Sequence, residues 1–325
     1  MAGTRALHTS VASLSTSRPR SGQPGRIAFT RSRTDVGLRL VDLEGPRAGD
    51  VFQSIGHFSD STRVDVPGRF SSDGKQVAFL SDRTGWAELW IANADGSGLR
   101  QATTLHATEL LVGSWSPDGR RMVIDAATDG DSDVFLVSLD GGSPVRVTTE
   151  PGSDGLAEWS SDGRWIYFTS DRSGRPELWK VPAEGGDARR ITREGGLQPQ
   201  QGPEGRTLFY VDRLPAGTFG VSGTTRLMQV PVAGGKESLV LDRVRFGLWS
   251  VIQGGIAFLT VGADADEIDF YGFGDREVRR LGTLPFRASR IAGLGGLTAS
   301  WDGRWVLVST TDLMESDIMV VDGVR

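Results

Sequence analysis

Five residues of the stretch EWSSDGRWIYFTSDRSGRPELW, positions 158 to 179, have the types from which a hydrolytic site is assembled. Ser160 and Ser161 would be nucleophiles, Asp162 and Asp171 proton acceptors or orienting groups, and Arg172 a partner for a developing oxyanion. A second cluster, Asp129, Asp131 and Asp133, follows the D-x-D-x-D opening of a calcium loop, with Asp140 at the twelfth position. His8, His57 and His106 would be the ligands of any imidazole metal centre.

Each chemistry also makes demands on its surroundings. An α/β-hydrolase serine needs a Gly-x-Ser-x-Gly elbow on a strand-to-helix turn and a downstream histidine, and neither is present. A calcium loop needs glycine at its sixth position, where this chain has Val134 and the strand DVFLVSL begins. The acids of DADEID, 264 to 269, occupy the equivalent place in a later repeat and read the same way, as solvated turn carboxylates open at most to a weak cation site. The three histidines share no ligand spacing and read as surface groups. The expectation is no catalytic residue, no metal and no cofactor.

The elements that carry these residues are a repeat. RFSSDGKQVAFLSDRTGWAELWIANADGSGLRQAT starts at Arg69, SWSPDGRRMVIDAATDGDSDVFLVSLDGGSPVRVT at Ser114 and EWSSDGRWIYFTSDRSGRPELWKVPAEGGDARRIT at Glu158. Asp-Gly pairs fall at 73/74, 118/119, 162/163 and 302/303, and PEG at 203 to 205 stands in for another. QGGIAFLTVGADADEIDFYGFGDREVRRLG from Gln253 supplies a sixth unit, and PGRIAFTRSRTDVGLRLVDL from Pro24 an opening one. That makes seven units of about 43 residues, the length of a four-stranded propeller blade.

Within a unit, Asp-Gly between apolar runs signals a tight turn, because glycine takes the positive φ that a Cβ resists. The serine before it can accept local backbone N–H groups. The following runs, such as QVAFL and WIYF, are apolar on both alternating faces, as strands sandwiched between neighbouring blades must be. ELWIAN, DVFLVSL and ELWKVP pair with them as hairpins, and LRQAT, VRVT and ARRIT form the outer strands. Phe70, Trp115 and Trp159 are placed to wedge between blades, whereas Ala299 takes that position in the last unit and Trp301 is displaced past Ser300. Asp82-Arg83, Asp171-Arg172 and Asp212-Arg213 recur at one repeat position, and Glu88, Asp133, Glu177 and Asp317 at another. A reaction uses one set of residues, but every blade needs its turns satisfied. These recurrences therefore read as turn hydrogen bonds and inter-blade ion pairs.

Composition sets outer limits. The chain of 325 residues is 38% hydrophobic, enough for a globular core, and no apolar run approaches the length that spans a bilayer. Net charge is −5, of which residues 1 to 26 contribute +4, so a broad nucleic-acid surface is not expected. The cations are almost all arginine, read as genome composition, and with no cysteine the chain has no disulfide and no thiolate ligand. No secretory signal is visible in the first 26 residues. The default compartment is the cytoplasm, or the periplasm if a longer precursor exists.

The pattern aromatic-Ser-x-Asp-Gly-Arg/Lys, an apolar strand, SDRTG or SDRSG, then an acid before Leu-Trp resembles the TolB-type, WD-like propeller repeat. The order of repeats, with WKVPAEGG and the ending ESDIMVVDGVR, is most similar to the propeller half of bacterial regulators that carry a winged-helix or kinase domain. The resemblance implies an all-β, seven-bladed propeller of four-stranded antiparallel blades, with six as the alternative count. Residues 26 to 325 form the propeller. Residues 1 to 25 are a linker whose segment 6 to 16 supplies a ring-closing strand.

The resemblance also implies a monomeric, non-catalytic sensing or binding module for a protein or peptide, engaged at a blade face or the channel mouth. Similar propellers cap prolyl-oligopeptidase-type peptidases, but this chain lacks the room for their catalytic domain. The alternative is a polysaccharide-acting propeller lyase or hydrolase, marked by acids, arginines and histidines gathered on the inner strands. VDVPGRFS, LLVGSWS, GLAEWS and GLWSV are poor in them. Binding candidates lie where the repeat lapses. Trp86, at the tip of the second unit's hairpin, is either an exposed anchor or packed against its own turn, and Phe219 sits in the long loop 213 to 225.

Overall fold

The computed structural model describes residues 15–16, 25–44, 54–58, 64–127, 130–214, 223–289 and 296–324. Every element is a strand. β1 is Ser15–Thr16, β2 Gly25–Asp42 and β3 Ser54–His57. Blade 1 contains β4 (Asp65–Phe70), β5 (Gln76–Ser81), β6 (Glu88–Asn93) and β7 (Arg100–Gln101). Blade 2 contains β8 (Glu109–Trp115), β9 (Arg121–Ala127), β10 (Asp133–Ser138) and β11 (Val145–Arg146). Blade 3 contains β12 (Asp154–Trp159), β13 (Trp165–Ser170), β14 (Glu177–Pro182) and β15 (Arg189–Arg190). Blade 4 has β16 (Leu197–Gln201), β17 (Thr207–Val211), β18 (Thr225–Pro231) and β19 (Ser238–Val244), and blade 5 has β20 (Trp249–Ile252), β21 (Gly255–Val261), β22 (Asp266–Gly272) and β23 (Val278–Thr283).

The ring has six blades, not seven. β24 (Leu297–Ala299) and β25 (Trp305–Val324) from the end of the chain pair with β2 and β3 from its beginning, in the order β24-β25-β2-β3. The opening and closing units are two halves of one blade: the last lacks outer strands, the first lacks inner ones, and each supplies what the other is missing. Asp42 pairs with Trp305 and Gly25 with Val324, so one continuous antiparallel ladder closes the circle and leaves no open edge at the seam between blades. β24 packs against both β20 and β4. Of the proposed closing segment 6 to 16, Ser15 and Thr16 pair with Ala28 and Ile27, and the rest lies outside the described residues. Among the described residues no helix is long and apolar enough to cross a membrane.

The turn chemistry takes the expected form. In blade 3 the Ser160 hydroxyl donates to Asp162 Oδ1 (2.7 Å) and accepts the Trp165 N–H (2.9 Å), while Gly163 has φ +70°. Ser71, Ser116 and Ser300 repeat this arrangement. Gly205, at φ +67°, gives PEG the same turn without the serine. Ser160→Ala removes both bonds and leaves a part-buried N–H without its acceptor, so a loss of about 1–2 kcal/mol is expected in urea unfolding. The Ser160 hydroxyl also heads the causes that hold the Asp162 carboxyl below its ordinary range. Its pKa should rise in the variant, which NMR titration reads directly.

β5, β9 and β13 are buried on both faces, and Phe70, Trp115 and Trp159 are buried at the blade junctions as wedges. The Trp115 indole N–H bonds the Arg69 carbonyl of the preceding blade at 2.9 Å. Outer strands of two residues in blades 1 to 3 leave little edge to pair with another chain.

Candidate functional site

β4, β8, β12, β16, β20 and β24 are the inner strands, and two cavities lie along the channel between them. At the Asp-Gly end a cavity of about 350 Å³ is walled by Phe70, Trp115, Trp159, Pro117, Pro203 and Trp301, with serines between them. At the opposite end a cavity of about 260 Å³ is lined mainly by apolar groups, among them Val66, Leu111, Leu156, Leu197, Phe246 and Leu297. Arg69 lines both and stands at the waist of the channel.

The charged groups of the first cavity come from one repeat position, the residue before the wedge aromatic. That position holds Arg69 in blade 1, Ser114 in blade 2, Glu158 in blade 3 and Gln200 in blade 4. Arg69 and Glu158 reach past the small Ser114 of the blade between them, to 3.7 Å between Nη2 and Oε2. Burial pushes the Glu158 carboxyl above its ordinary range, against the opposing pull of Arg69, the Ser114 hydroxyl and the Gln201 backbone. Gln200 accepts the Val251 N–H at 2.8 Å and Gln201 accepts the Ser161 N–H at 2.6 Å, tying blade 4 to its neighbours. Trp301 is 40% exposed at the rim. In the turn position that Ser72, Pro117 and Ser161 occupy elsewhere, it is an exposed aromatic and not a displaced wedge.

The residues first considered for catalysis are dispersed into structural roles. Arg172 bonds Asp154 (2.6 Å) and Ser170 (2.9 Å) within its own blade and lies over Phe168 and Trp179. Arg83 does the same in blade 1 with Asp65, Ser81, Phe79 and Trp90. These ion pairs are therefore intra-blade, where inter-blade pairs were expected, because the turn folds the arginine back over the inner strand of its own sheet. Asp171 and Asp82 accept backbone N–H groups of Ser153 and Val64, the expected turn bonds. The third copy differs: Asp212 is held by Thr225 and Arg226, and Arg213 stays 3.9 Å away.

The recurrent acids before the third strand are also structural. Glu88, Asp133 and Glu177 accept the hydroxyls of Thr103, Thr148 and Thr192, the last residues of QAT, RVT and RIT. Asp133 is further bonded by Arg146, and Asp129 lies outside the described residues. In DADEID Asp264 is exposed, as expected, but the other three carboxylates are bonded, Glu267 to Arg280. Asp266 is fully buried, 3.3 Å from Arg287 and accepting the Ala288 N–H, and Asp269 accepts the Thr260 hydroxyl. Among the described residues no three His, Asp or Glu side chains converge as a metal site.

Trp86 is half exposed, and its ring meets His106 at 5.4 Å between centroids, at the tip of blade 1 and away from the channel. Phe219 lies outside the described residues. The sequence reading passed over Arg69 and Glu158, and took Trp301 only for a displaced wedge. The signal for Arg69 and Glu158 was the column before the wedge aromatic, which runs Arg69, Ser114, Glu158, Gln200 and Ser250 in successive blades while the rest of the motif stays regular.

The family model for the TolB beta propeller domain matches residues 61–230. No curated protein matches the sequence. Among solved structures, TolB from Acinetobacter baumannii is similar with a TM-score of 0.56 and 15% identity, over 90% of this chain and 67% of that one. An oligogalacturonate lyase from Vibrio parahaemolyticus gives 0.53 and 15%, over 90% and 84% of the two chains. A chain of the nidogen–laminin complex gives 0.53 and 11%, over 76% and 98%. At these identities the likenesses concern the fold, and they join lyases and non-enzymes alike. The matched model spans more than half of the sequence, and the chain belongs to the TolB β-propeller domain family.

Proposed function

We propose that this propeller is a non-catalytic binding module that takes a protein or peptide segment at the serine-lined mouth of its channel. The observation that carries the reading is the lining of that mouth: aromatic and proline walls, a half-exposed Trp301 at the rim, and a few fixed polar groups on a rigid ring. Its similarity to the propeller half of winged-helix and kinase regulators would make such a ligand the input to an effector. Glu158 favours the runner-up, a polysaccharide-acting lyase or hydrolase, since a carboxyl pushed up by burial at a funnel mouth is suited to proton donation. Hydrolysis of a glycosidic bond needs a second carboxylate nearby, and among the described residues lining the cavity Glu158 is the only acid.

The test is affinity capture of the tagged chain from its host, followed by titration of the recovered partner. Trp301→Ala, an exposed change that leaves the ring intact, is expected to weaken that partner about tenfold. No partner, together with turnover of a polysaccharide panel, would replace binding with catalysis.

A further inference from the structure

Arg69 is placed unlike Arg83 and Arg172, the other two arginines whose ion-paired side chains are largely covered. Arg83 and Arg172 each hold a carboxylate at hydrogen-bonding distance and a serine besides, and both are packed over aromatic rings. The Arg69 guanidinium, with five N–H donors to offer, faces Glu158 at 3.7 Å, too far for a hydrogen bond, and Glu158 Oε2 accepts none among the described residues. It sits where the two cavities meet.

The acceptors at the same level are already committed. Ser114 Oγ accepts the Trp159 N–H (2.7 Å), Ser250 Oγ the Ala299 N–H (3.3 Å), and Gln200 Oε1 the Val251 N–H. Arg69 thus brings to the floor of the mouth a donor fork that Glu158 meets only loosely, and its better complement is an anion that can take two N–H bonds side by side.

Shape narrows the choice. About 350 Å³ is at the small end of ligand pockets, enough for the last residues of a peptide entering end-on but too small for a loop that must enter and return. The walls above Arg69 are apolar rings and prolines, which suit apolar side chains.

We propose that the channel mouth is a receptor for the free C-terminal carboxylate of a peptide with apolar final residues. The carboxylate displaces Glu158 from Arg69 and the last side chains lie against Trp159 and Trp301. Glu158 is then an internal competitor that holds Arg69 in place when the mouth is empty. This inference rests on the binding reading above and specifies its ligand.

The experiment uses the full chain, immobilised, and two pools of short synthetic peptides with apolar last residues, identical except that one ends in a free carboxylate and the other in a carboxamide. The wild type is expected to retain the carboxylate pool about tenfold better. Glu158→Gln, which removes the competitor, should widen that ratio. The double change Arg69→Gln with Glu158→Gln, which leaves no unpaired buried charge and so should fold, should bring it to one. Equal retention of both pools by the wild type, lost in Trp301→Ala, would remove the carboxylate inference while leaving the peptide reading standing. Retention of neither pool, with trigalacturonate bound instead, would overturn both.

Discussion

Arg172→Ala is expected to destabilise the protein by about 3–5 kcal/mol, as the removal of one partner from a buried ion pair does. Asp154 is fully buried and its charge is met by Arg172 at 2.6 Å. Burial already pushes the Asp154 carboxyl above its ordinary range even with Ser170, Arg172 and Thr148 favouring the charged form. Without the guanidinium, the carboxylate must either stay charged in an apolar setting or take up a proton, and the lost stacking on Phe168 and Trp179 adds to the cost. Arg83→Ala, which strips Asp65 of the same contact two blades away in the ring, should behave alike, and the two losses should add.

Arg213→Ala carries the same motif position but should be within about 0.5 kcal/mol of wild type, because Arg213 is exposed and Asp212 belongs to Arg226. Asp154→Asn combined with Arg172→Met should recover most of the loss, since it removes the charge with its partner. Urea unfolding of the four variants decides the matter. Equal, small effects at 83, 172 and 213 would show that the recurring Asp-Arg pair is solvated decoration.

That contrast also marks what the sequence could and could not say. Turns and strands were legible because Ser-x-Asp-Gly and the doubly apolar runs are local: Ser160, Asp162 and Gly163 satisfy one another within five residues. Blade number was not legible, because it depends on whether Gly25–Asp42 and Trp305–Val324 each fold back as hairpins or pair with each other, and local periodicity is the same in both cases. The inner strands read as poor in charge because each brings at most one charged group to the mouth. Arg69 and Glu158 become a pair only when blades 1 and 3 curve toward a common axis. DADEID misled for a related reason: four acids in six residues look solvated until Arg287, two strands later, covers one of them.

The second large effect is one of pH and centres on Asp125. This residue of β9 is buried and accepts the backbone N–H groups of Leu156 and of Ala157 (3.3 Å) on β12 of the next blade. There Leu156 adopts φ +55° inside a bulge, and Asp125 holds that unusual backbone in place. Burial pushes the Asp125 carboxyl up to about 7, the two N–H bonds pull it down, and the neighbouring Asp154 carboxylate, itself paired with Arg172, pushes it up again. A folded pKa raised above the unfolded value of about 3.9 means that folding favours the protonated form. This contribution is complete below about pH 4, falls as pH rises, and is lost above about 7.

Three pH units correspond to about 4 kcal/mol at most. The exposed Asp73, Asp118, Asp162 and Asp302, all with lowered pKa values, act in the opposite sense, but their window lies below pH 4 and does not overlap. Asp154 and Glu158 slope the same way as Asp125 and remain in the variant. Asp125→Asn trades the titration for a fixed cost of about 1–3 kcal/mol, since it keeps one carbonyl acceptor, as the protonated acid does, but buries two N–H donors in place of one O–H. Melting temperatures measured from pH 5 to pH 8 should therefore cross, with wild type the more stable at pH 5 and the variant equal or ahead at pH 8. Parallel curves would mean that Asp125 is ionised throughout that range, with the two backbone bonds outweighing its burial.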